Sequence, residues 1–225
     1  MKLLVFSDIH SDVKALERLM DIDADYYFAA GDLVSWTRGL DKVGPVLARR
    51  KDRMFVLPGN HESAADIEQL CREYGFRNFH GASIQVAGIH IAGLGYSCPT
   101  PFHTPGEYSE RELALRLQPF ANLTPLILIC HCPPRGTPLD RAGEGLHYGS
   151  TAIRKFIDEH APTYFFCGHI HEAEGVRAAI GATAAVNVGK RGFLLEIDED
   201  GSNAGSGRNG NFLRADVSNG RLPEG

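Results

Sequence analysis

The first third of the chain alternates short apolar runs with stretches in which apolar residues recur at helical spacing. The short runs predict buried strands at residues 3–6, 25–30 and 54–57. The periodic stretches predict helices at residues 12–20, 40–50 and 63–74, the first with Ser11 as its N-cap. Because each strand is followed by a helix, this segment should form βαβ units with parallel strands and right-handed crossovers.

The pattern changes in the second half of the chain. Residues 83–87 and 89–94, joined at Gly88, predict a hairpin. Further helices are predicted at residues 109–117 and 151–159, further strands at 126–130 and 164–167, and an antiparallel meander of three stretches at 175–197. Two mixed sheets packed face to face with flanking helices would make an α/β fold, a four-layer α-β-β-α sandwich.

A shift in composition near residue 198 divides the chain. Residues 1–198 predict one domain, since the length of the chain suits one large domain or a domain with a small extension. Residues 199–225 predict a C-terminal tail rich in Gly, Ser and Asn, in which only Phe212, Leu213 and Val217 could pack. A short additional strand is the alternative for this tail.

Composition and charge narrow the class of protein. Hydrophobic residues make up 43% of the 225 positions and charged residues 23%, which is typical of a soluble globular protein. A net charge of −5 disfavours bulk nucleic-acid binding, although a small basic pocket stays compatible with it. The apolar N-terminal run is too short for a signal peptide, and no stretch approaches the ~18 apolar residues of a membrane span. The sequence does not predict an oligomeric state.

The five cysteines favour a reduced, cytoplasmic protein, because their number is odd and their spacing irregular. Cys130 and Cys132 flank His131 and could suggest a zinc site. No second cysteine pair completes a tetrahedral set, so we favour a packing role for both at a strand end.

Acidic, amide and imidazole side chains gather where the predicted strands end. Five ends carry polar motifs: Asp8-Ile9-His10, Gly31-Asp32, Gly59-Asn60-His61-Glu62, His131 and Gly168-His169-Ile170-His171. Since parallel strands one βαβ step apart present their carboxyl ends at the same sheet edge, these side chains should meet at one site. Residues two apart on extended chain face the same side, so Asp8 and His10 should both face that site, as should His169 and His171.

This ordered set of motifs resembles that of the calcineurin-like metallophosphoesterases, and it spans residues 8–171. The segment His131-Cys132-Pro133-Pro134-Arg135-Gly136-Thr137 is also similar to the H-x-P-P-x-G-T motif of the small single-domain bacterial and archaeal members. Cys130 departs from the family pattern, in which a small or hydroxylated residue commonly precedes the histidine. The resemblance implies a hydrolase that breaks a phosphate ester bond with two metal ions.

The resemblance also implies two sets of metal ligands that share one carboxylate. The first metal would be held by Asp8, His10, Asp32 and His171. The second would be held by Asp32, Asn60, His131 and His169. Carboxylate, amide and imidazole ligands suit Mn²⁺, our first choice, or Fe, Zn²⁺ or Mg²⁺, rather than copper. A water bridging two cations about 3.5–4 Å apart would lose a proton readily and become the attacking hydroxide.

The same resemblance makes His61 the general acid, which protonates the leaving alcohol or stabilises the transferring phosphoryl group. Asp66 is the only carboxylate we suggest as its partner. Candidate substrate-binding residues are Asn60, His61, Arg135 and His147. Arg135 could instead be solvated, and His147 could be an ordinary loop residue before a helix. We predict that the histidines outside the motifs bind no metal: His80, His90, His103 and His160.

The sequence therefore predicts a cytoplasmic, dinuclear metal-dependent phosphoesterase acting on a small phosphodiester or phosphomonoester. Diesters are favoured, by analogy with the small members and because no cap domain is evident. A nuclease is the alternative among enzymes, although it would want a basic, aromatic groove. A non-catalytic binding or scaffold protein on the same fold is the alternative outside enzymes, and the intact motif set argues against it.

Overall fold

Two β-sheets form the centre of the computed structural model, which describes residues 1–197. The first sheet has the strand order β11-β1-β2-β3-β4. Its strands are β1 (Lys2–Phe6), β2 (Tyr26–Ala30), β3 (Met54–Leu57), β4 (Arg77–Asn78) and β11 (Phe193–Glu196). Strands β1 to β4 run parallel, and β11 pairs antiparallel with β1.

The second sheet has the order β5-β6-β7-β8-β10-β9. Its strands are β5 (Ala82–Val86), β6 (Ile89–Leu94), β7 (Leu126–Cys130), β8 (Tyr164–Cys167), β9 (Arg177–Ile180) and β10 (Thr183–Asn187). Strands β6, β7, β8 and β10 are parallel, with an antiparallel strand at each edge. Both sheets are therefore mixed, as predicted.

Five α-helices cover the outer faces of the sheets in the described part of the chain. They are α1 (Val13–Asp21), α2 (Leu40–Leu47), α3 (Ala64–Tyr74), α4 (Glu110–Leu117) and α5 (Thr151–His160). None of them is long and apolar enough to cross a membrane.

Three hydrophobic cores separate the four layers. Along β1, Leu4 and Phe6 face α1–α3, whereas Leu3 and Val5 face the second sheet, as the two-residue period of a strand requires. The central core joins the inner faces of both sheets. Its largest side chains include Phe28, whose ring stacks on that of Phe55 in the neighbouring strand β3. A third core lies beneath α4 and α5. The predicted four-layer α-β-β-α sandwich is confirmed.

Several local predictions need correction. The meander over residues 175–197 is wrong for its last strand, because β11 leaves β9 and β10 and pairs with β1 in the other sheet. The N-cap of α1 is Asp12 and not Ser11, since the Asp12 carboxylate accepts the Ala15 N–H at 3.0 Å. The second helix ends at Leu47 and continues as a 3₁₀ segment, Ala48–Arg53. The predicted tail, residues 199–225, lies outside the described residues.

All five cysteines are free thiols, as the irregular spacing predicted. Cys130 and Cys132 are completely buried in the core beneath α4 and α5, so the packing role is confirmed for both. Burial raises the pKa of both thiols, because a thiolate would lose its hydration there.

Candidate metal centre

The predicted site residues converge at one edge shared by the two sheets. They follow the carboxyl ends of β1, β2 and β3 in the first sheet and of β7 and β8 in the second. Asp8, His10, Asp32 and His169 all have positive φ, between 46° and 71°. Asp8 and His10 thus share the site although the chain is not extended there, so our reason for expecting it was wrong. Such left-handed conformations cost free energy and tend to cluster at functional sites.

One group of donor atoms comes from Asp8, His10 and His171, whose ligand atoms lie within 4.8 Å of one another. His10 Nε2 is 3.0 Å from His171 Nε2, and His171 Nε2 is 3.7 Å from Asp8 Oδ1. Asp32 Oδ2 completes the group at 3.7 Å from His10 Nε2. These are the four side chains predicted for the first metal.

A second group is more deeply buried and comprises Asp32, His131 and His169 together with Asn60. His131 Nε2 is 3.4 Å from Asp32 Oδ2. Asn60 Oδ1 lies 3.0 Å from His131 Nε2 and 2.8 Å from His169 Nδ1. These are the four side chains predicted for the second metal.

Asp32 connects the two groups through a single atom, because its Oδ2 is the oxygen nearest to both His10 and His131. Its other oxygen, Oδ1, accepts the His61 backbone N–H at 2.9 Å, which fixes the orientation of the carboxylate. Burial opposes ionisation of Asp32, but the neighbouring His131 ring and the His61 N–H outweigh it and lower the pKa of this carboxyl.

The electrostatics of the site favour positive charge. His131 is fully buried, which disfavours its protonated form, yet the Asp32 and Asp8 carboxylates raise its pKa to about 9. Burial and the nearby His131 instead lower the pKa of His169 to about 4, so that ring stays neutral, as a ligand must be. Oxygen and nitrogen donors around two buried carboxylates fit a pair of divalent cations such as Mn²⁺, Fe, Zn²⁺ or Mg²⁺.

Neighbouring groups orient the candidate ligands. His131 Nδ1 donates to the Ala30 carbonyl oxygen at 2.9 Å, which fixes the orientation of the ring and leaves Nε2 as the nitrogen that faces the site. His10 Nδ1 contacts Ser35 Oγ at 2.9 Å, which orients that ring. The His169 backbone N–H donates to both oxygens of Asp8, at 3.0 and 3.1 Å.

Glu62 is part of the motif Gly59-Asn60-His61-Glu62, but the sequence alone indicated no role for it. Its carboxyl group is completely buried and accepts backbone N–H groups from Asp32 at 3.0 Å, Val34 at 2.9 Å and Gly59 at 2.9 Å. It thereby ties the loop after β2 to the loop after β3 and holds Asp32 in place. The only sequence signal for this role is a glutamate directly after His61. Residue type and position alone do not distinguish a buried glutamate from a solvent-exposed one.

Two glycines allow the loops to approach this closely. A side chain at Gly59 would collide with the Asp32 carboxylate, and one at Gly168 would collide with Asp8 and Ser7. The backbone can therefore pass beside the candidate ligands only where no Cβ is present.

His61 borders the first group, since its ring nitrogen lies within 4.8 Å of the donor atoms of His10 and Asp32. Its Nδ1 accepts the Trp36 backbone N–H at 3.3 Å, which leaves Nε2 as the nitrogen that can carry a proton. The suggested partner Asp66 is wrong. Its carboxylate accepts the Ser63 backbone N–H at 3.0 Å and forms the capping box of α3.

The loop over residues 98–106 reaches the centre, because Asn60 Nδ2 donates to Thr104 Oγ1 at 3.2 Å and the Gly106 N–H donates to the Asn60 carbonyl at 2.9 Å. Arg135 is exposed, and His147 Nδ1 lies 2.7 Å from the buried Asp140 carboxylate. Neither Arg135 nor His147 belongs to the donor groups, so substrate contact by either one stays a prediction.

The histidines outside the motifs occupy other environments. His90 lies near the amino end of β6 beside Gln85, His103 is exposed, and His160 packs on Phe156 at the end of α5. His80 is held between two partners: its Nδ1 accepts the Gly95 N–H at 3.1 Å, and its Nε2 contacts the Tyr108 hydroxyl at 3.0 Å.

His80 should make folding stability depend on pH. Burial, with a smaller effect of the Arg116 charge, lowers its pKa to about 4, because a protonated ring would lose its hydration there. The unfolded chain binds that proton near pH 6.5, so stability is full above this value and is lost as pH falls towards 4. Between pH 7 and pH 5 the loss should be about 2 kcal/mol.

Urea unfolding of the wild type and of His80→Gln at both pH values measures this loss. Glutamine can bond both partners but does not titrate, so the free-energy difference between the two proteins should change by about 2 kcal/mol. A difference that is the same at pH 7 and pH 5 would contradict the assignment.

Comparison with known proteins places this geometry in a family. The model of the calcineurin-like phosphoesterases matches residues 1–173. The uncharacterized protein MJ1162 of Methanocaldococcus jannaschii is 32% identical over 203 residues, which cover 87% of this chain and 91% of that protein.

Two solved structures share the fold. TT1561 of Thermus thermophilus superposes with a TM-score of 0.62 at 20% identity, covering 84% of this chain and 88% of its own. The phosphopantetheinyl hydrolase PptH of Mycobacterium tuberculosis superposes with a TM-score of 0.58 at 16% identity, with the same coverage of both chains. Because the family model matches most of this chain and a relative is 32% identical to it, this chain belongs to the calcineurin-like phosphoesterase family.

Proposed function

We propose that this protein hydrolyses a phosphate ester with two divalent metal ions, Mn²⁺ being the first choice. One observation carries the proposal: a single oxygen, Asp32 Oδ2, lies 3.7 Å from His10 Nε2 and 3.4 Å from His131 Nε2. A carboxylate shared in this way can serve two cations at once. When bound, the ions supply Lewis acidity toward phosphate oxygens and lower the pKa of a coordinated water.

The protein's own side chains would then orient and protonate the substrate. Asp8, His10, Asp32 and His171 hold one ion, and Asp32, Asn60, His131 and His169 hold the other. His61 lies beside the same space, and its Nε2–H can donate to the leaving oxygen as negative charge develops there. Arg135 and His147, on the loop after β7, are the proposed additional contacts to the phosphate.

The proposed substrate is a small phosphate ester, with diesters ahead of monoesters. The five α-helices of the described residues pack on the outer faces of the two sheets, and the carboxyl edge that holds the ligands carries loops and short 3₁₀ turns such as His171–Ala173. An extended ester can approach such an edge. The five free thiols support a reducing compartment, which we propose to be the cytoplasm.

A substrate and metal panel tests the proposal. The metal-free protein would be loaded with Mn²⁺, Fe²⁺, Zn²⁺ or Mg²⁺ and assayed on a chromogenic diester, a chromogenic monoester, cyclic nucleotides and single-stranded DNA. We expect metal-dependent hydrolysis with the diester fastest, and full loss on chelation. His90→Ala, at the opposite end of the second sheet, should behave as wild type. Protein that holds two ions yet hydrolyses none of these substrates would contradict the proposal.

A further inference from the structure

Exposed large apolar side chains are concentrated at the edge of the sheets that carries the candidate metal centre. Five such side chains occur among the described residues: Trp36, Phe102, Leu115, Leu146 and Tyr148. All except Leu115 lie on loops that follow β2, β6 or β7, and Leu115 lies on α4. Water-exposed apolar surface that collects at a site edge marks a surface for ligand binding.

Among the four exposed apolar side chains on these loops, Trp36 is the one whose ring contacts a residue of the candidate metal centre. Its indole ring meets the His61 ring edge to face, with centroids 5.5 Å apart, and the His61 ring meets the His10 ring in the same manner at 5.2 Å. Three rings thus lead outward from a candidate metal ligand, through the candidate acid, to a tryptophan that is 46% exposed.

The backbone holds Trp36 in this position. The N–H groups of Trp36 and Thr37 donate to Nδ1 and to the carbonyl oxygen of His61, at 3.3 and 2.9 Å. Both residues have positive φ, 54° and 58°, which side-chain-bearing residues seldom adopt without such support. The exposed indole is therefore presented by a fixed loop that is built against His61.

We infer that Trp36 is a specificity-determining residue that binds a flat aromatic group of the substrate, on its leaving side. This inference rests on the proposed function. If the phosphoryl group lies at the metal centre and His61 faces the leaving oxygen, the leaving group extends past His61 to the indole. A flat aromatic ring, such as a nucleobase, can stack on the exposed indole, whereas an aliphatic alcohol gains little there.

The indole also reports on its own occupancy, because Trp36 is the only tryptophan of the chain. The probe is the non-hydrolysable phosphonate analogue of adenosine 5′-monophosphate, and the corresponding ribose phosphonate serves as the non-aromatic control. With metal-loaded protein, the adenosine analogue should change the tryptophan fluorescence saturably and bind on the order of tenfold more tightly than the ribose analogue.

Variants measured by calorimetry separate stacking from general binding. Trp36→Ala should reduce the affinity for the adenosine analogue on the order of tenfold and leave the ribose analogue unchanged, while Trp36→Phe should retain most of the preference. Leu115→Ala, which removes an exposed apolar side chain on α4, should change neither affinity. Equal binding of both analogues, or no effect of Trp36→Ala, overturns the inference.

The two failures can be told apart. The ribose analogue reports binding of a phosphate-like group alone, so its metal-dependent binding supports the proposed function whatever Trp36 does. Absence of that binding, together with absence of hydrolysis in the panel, would refute the phosphoesterase proposal and this inference with it. Normal binding of the ribose analogue without an aromatic preference would refute the inference alone.

Discussion

Asp32→Ala should bind neither metal ion and should lose at least about a hundredfold in hydrolysis rate, because several kcal/mol of charge stabilisation disappear with the ions. The reason is geometric. Asp32 Oδ2 faces both His10 and His131, so one substitution removes a ligand from each group. Metal analysis after loading and desalting should find two ions per wild-type chain and none in the variant.

Two further variants make this prediction specific. His171→Ala removes a ligand of the first group only and should retain the ion at the buried second group. Asp23→Ala removes a carboxylate that is exposed at 85% and lies 3.9 Å from both Arg50 and Arg53, so this variant should bind two ions as the wild type does. Circular dichroism shows whether Asp32→Ala stays folded. If folded Asp32→Ala still binds two ions, Asp32 is not the ligand that both metal ions share.

The positions of the candidate ligands could be predicted from sequence because a simple rule controls them. Polar motifs directly after parallel strands must meet at the carboxyl edge, whatever the details of the intervening loops. The rule brought together Asp32 and Asn60 in the first sheet and His131 in the second. It did not depend on local conformation, which is why it succeeded although Asp8 and His10 are not extended.

The pairing of β11 could not be predicted in the same way. Alternating apolar residues indicate a strand but do not identify its neighbour, and the strand next in sequence is the usual partner. β11 instead extends the first sheet beside β1, where Phe193 and Leu195 complete the core between the sheets. The pairing of β11 depends on a strand at the other end of the described chain. A local pattern of apolar residues carries no information about so distant a partner.

Glu62 and Trp36 show the corresponding limit for the site. A glutamate beside a histidine is normally solvated, yet Glu62 is buried because three backbone N–H groups from two loops converge on it. A tryptophan after an apolar run is normally part of the core, yet Trp36 is exposed because its loop turns back on His61. In both cases the environment is made by loop conformations that residue type does not encode.

His61→Ala should reduce kcat about 10²- to 10⁴-fold while it retains both ions, since His61 supplies a proton and does not complete either ligand set. The size of the defect should depend on the leaving group: small for an ester of p-nitrophenol, whose anion leaves unaided, and large for an alkyl ester, whose alkoxide needs the proton. Rates on this pair of esters, with metal content measured in parallel and His90→Ala as the matched histidine control, check the assignment.

An equal loss on both esters would mean that His61 stabilises the phosphoryl oxygens and does not protonate the leaving group. Full activity would mean that it does neither. The Trp36 N–H at His61 Nδ1 bears on the choice, because it leaves only Nε2 to carry the proton. The neutral ring therefore carries an N–H on Nε2, near the donor atoms of His10 and Asp32, and can share that proton with the leaving oxygen as negative charge develops there. We therefore expect the defect to grow with the basicity of the leaving oxygen.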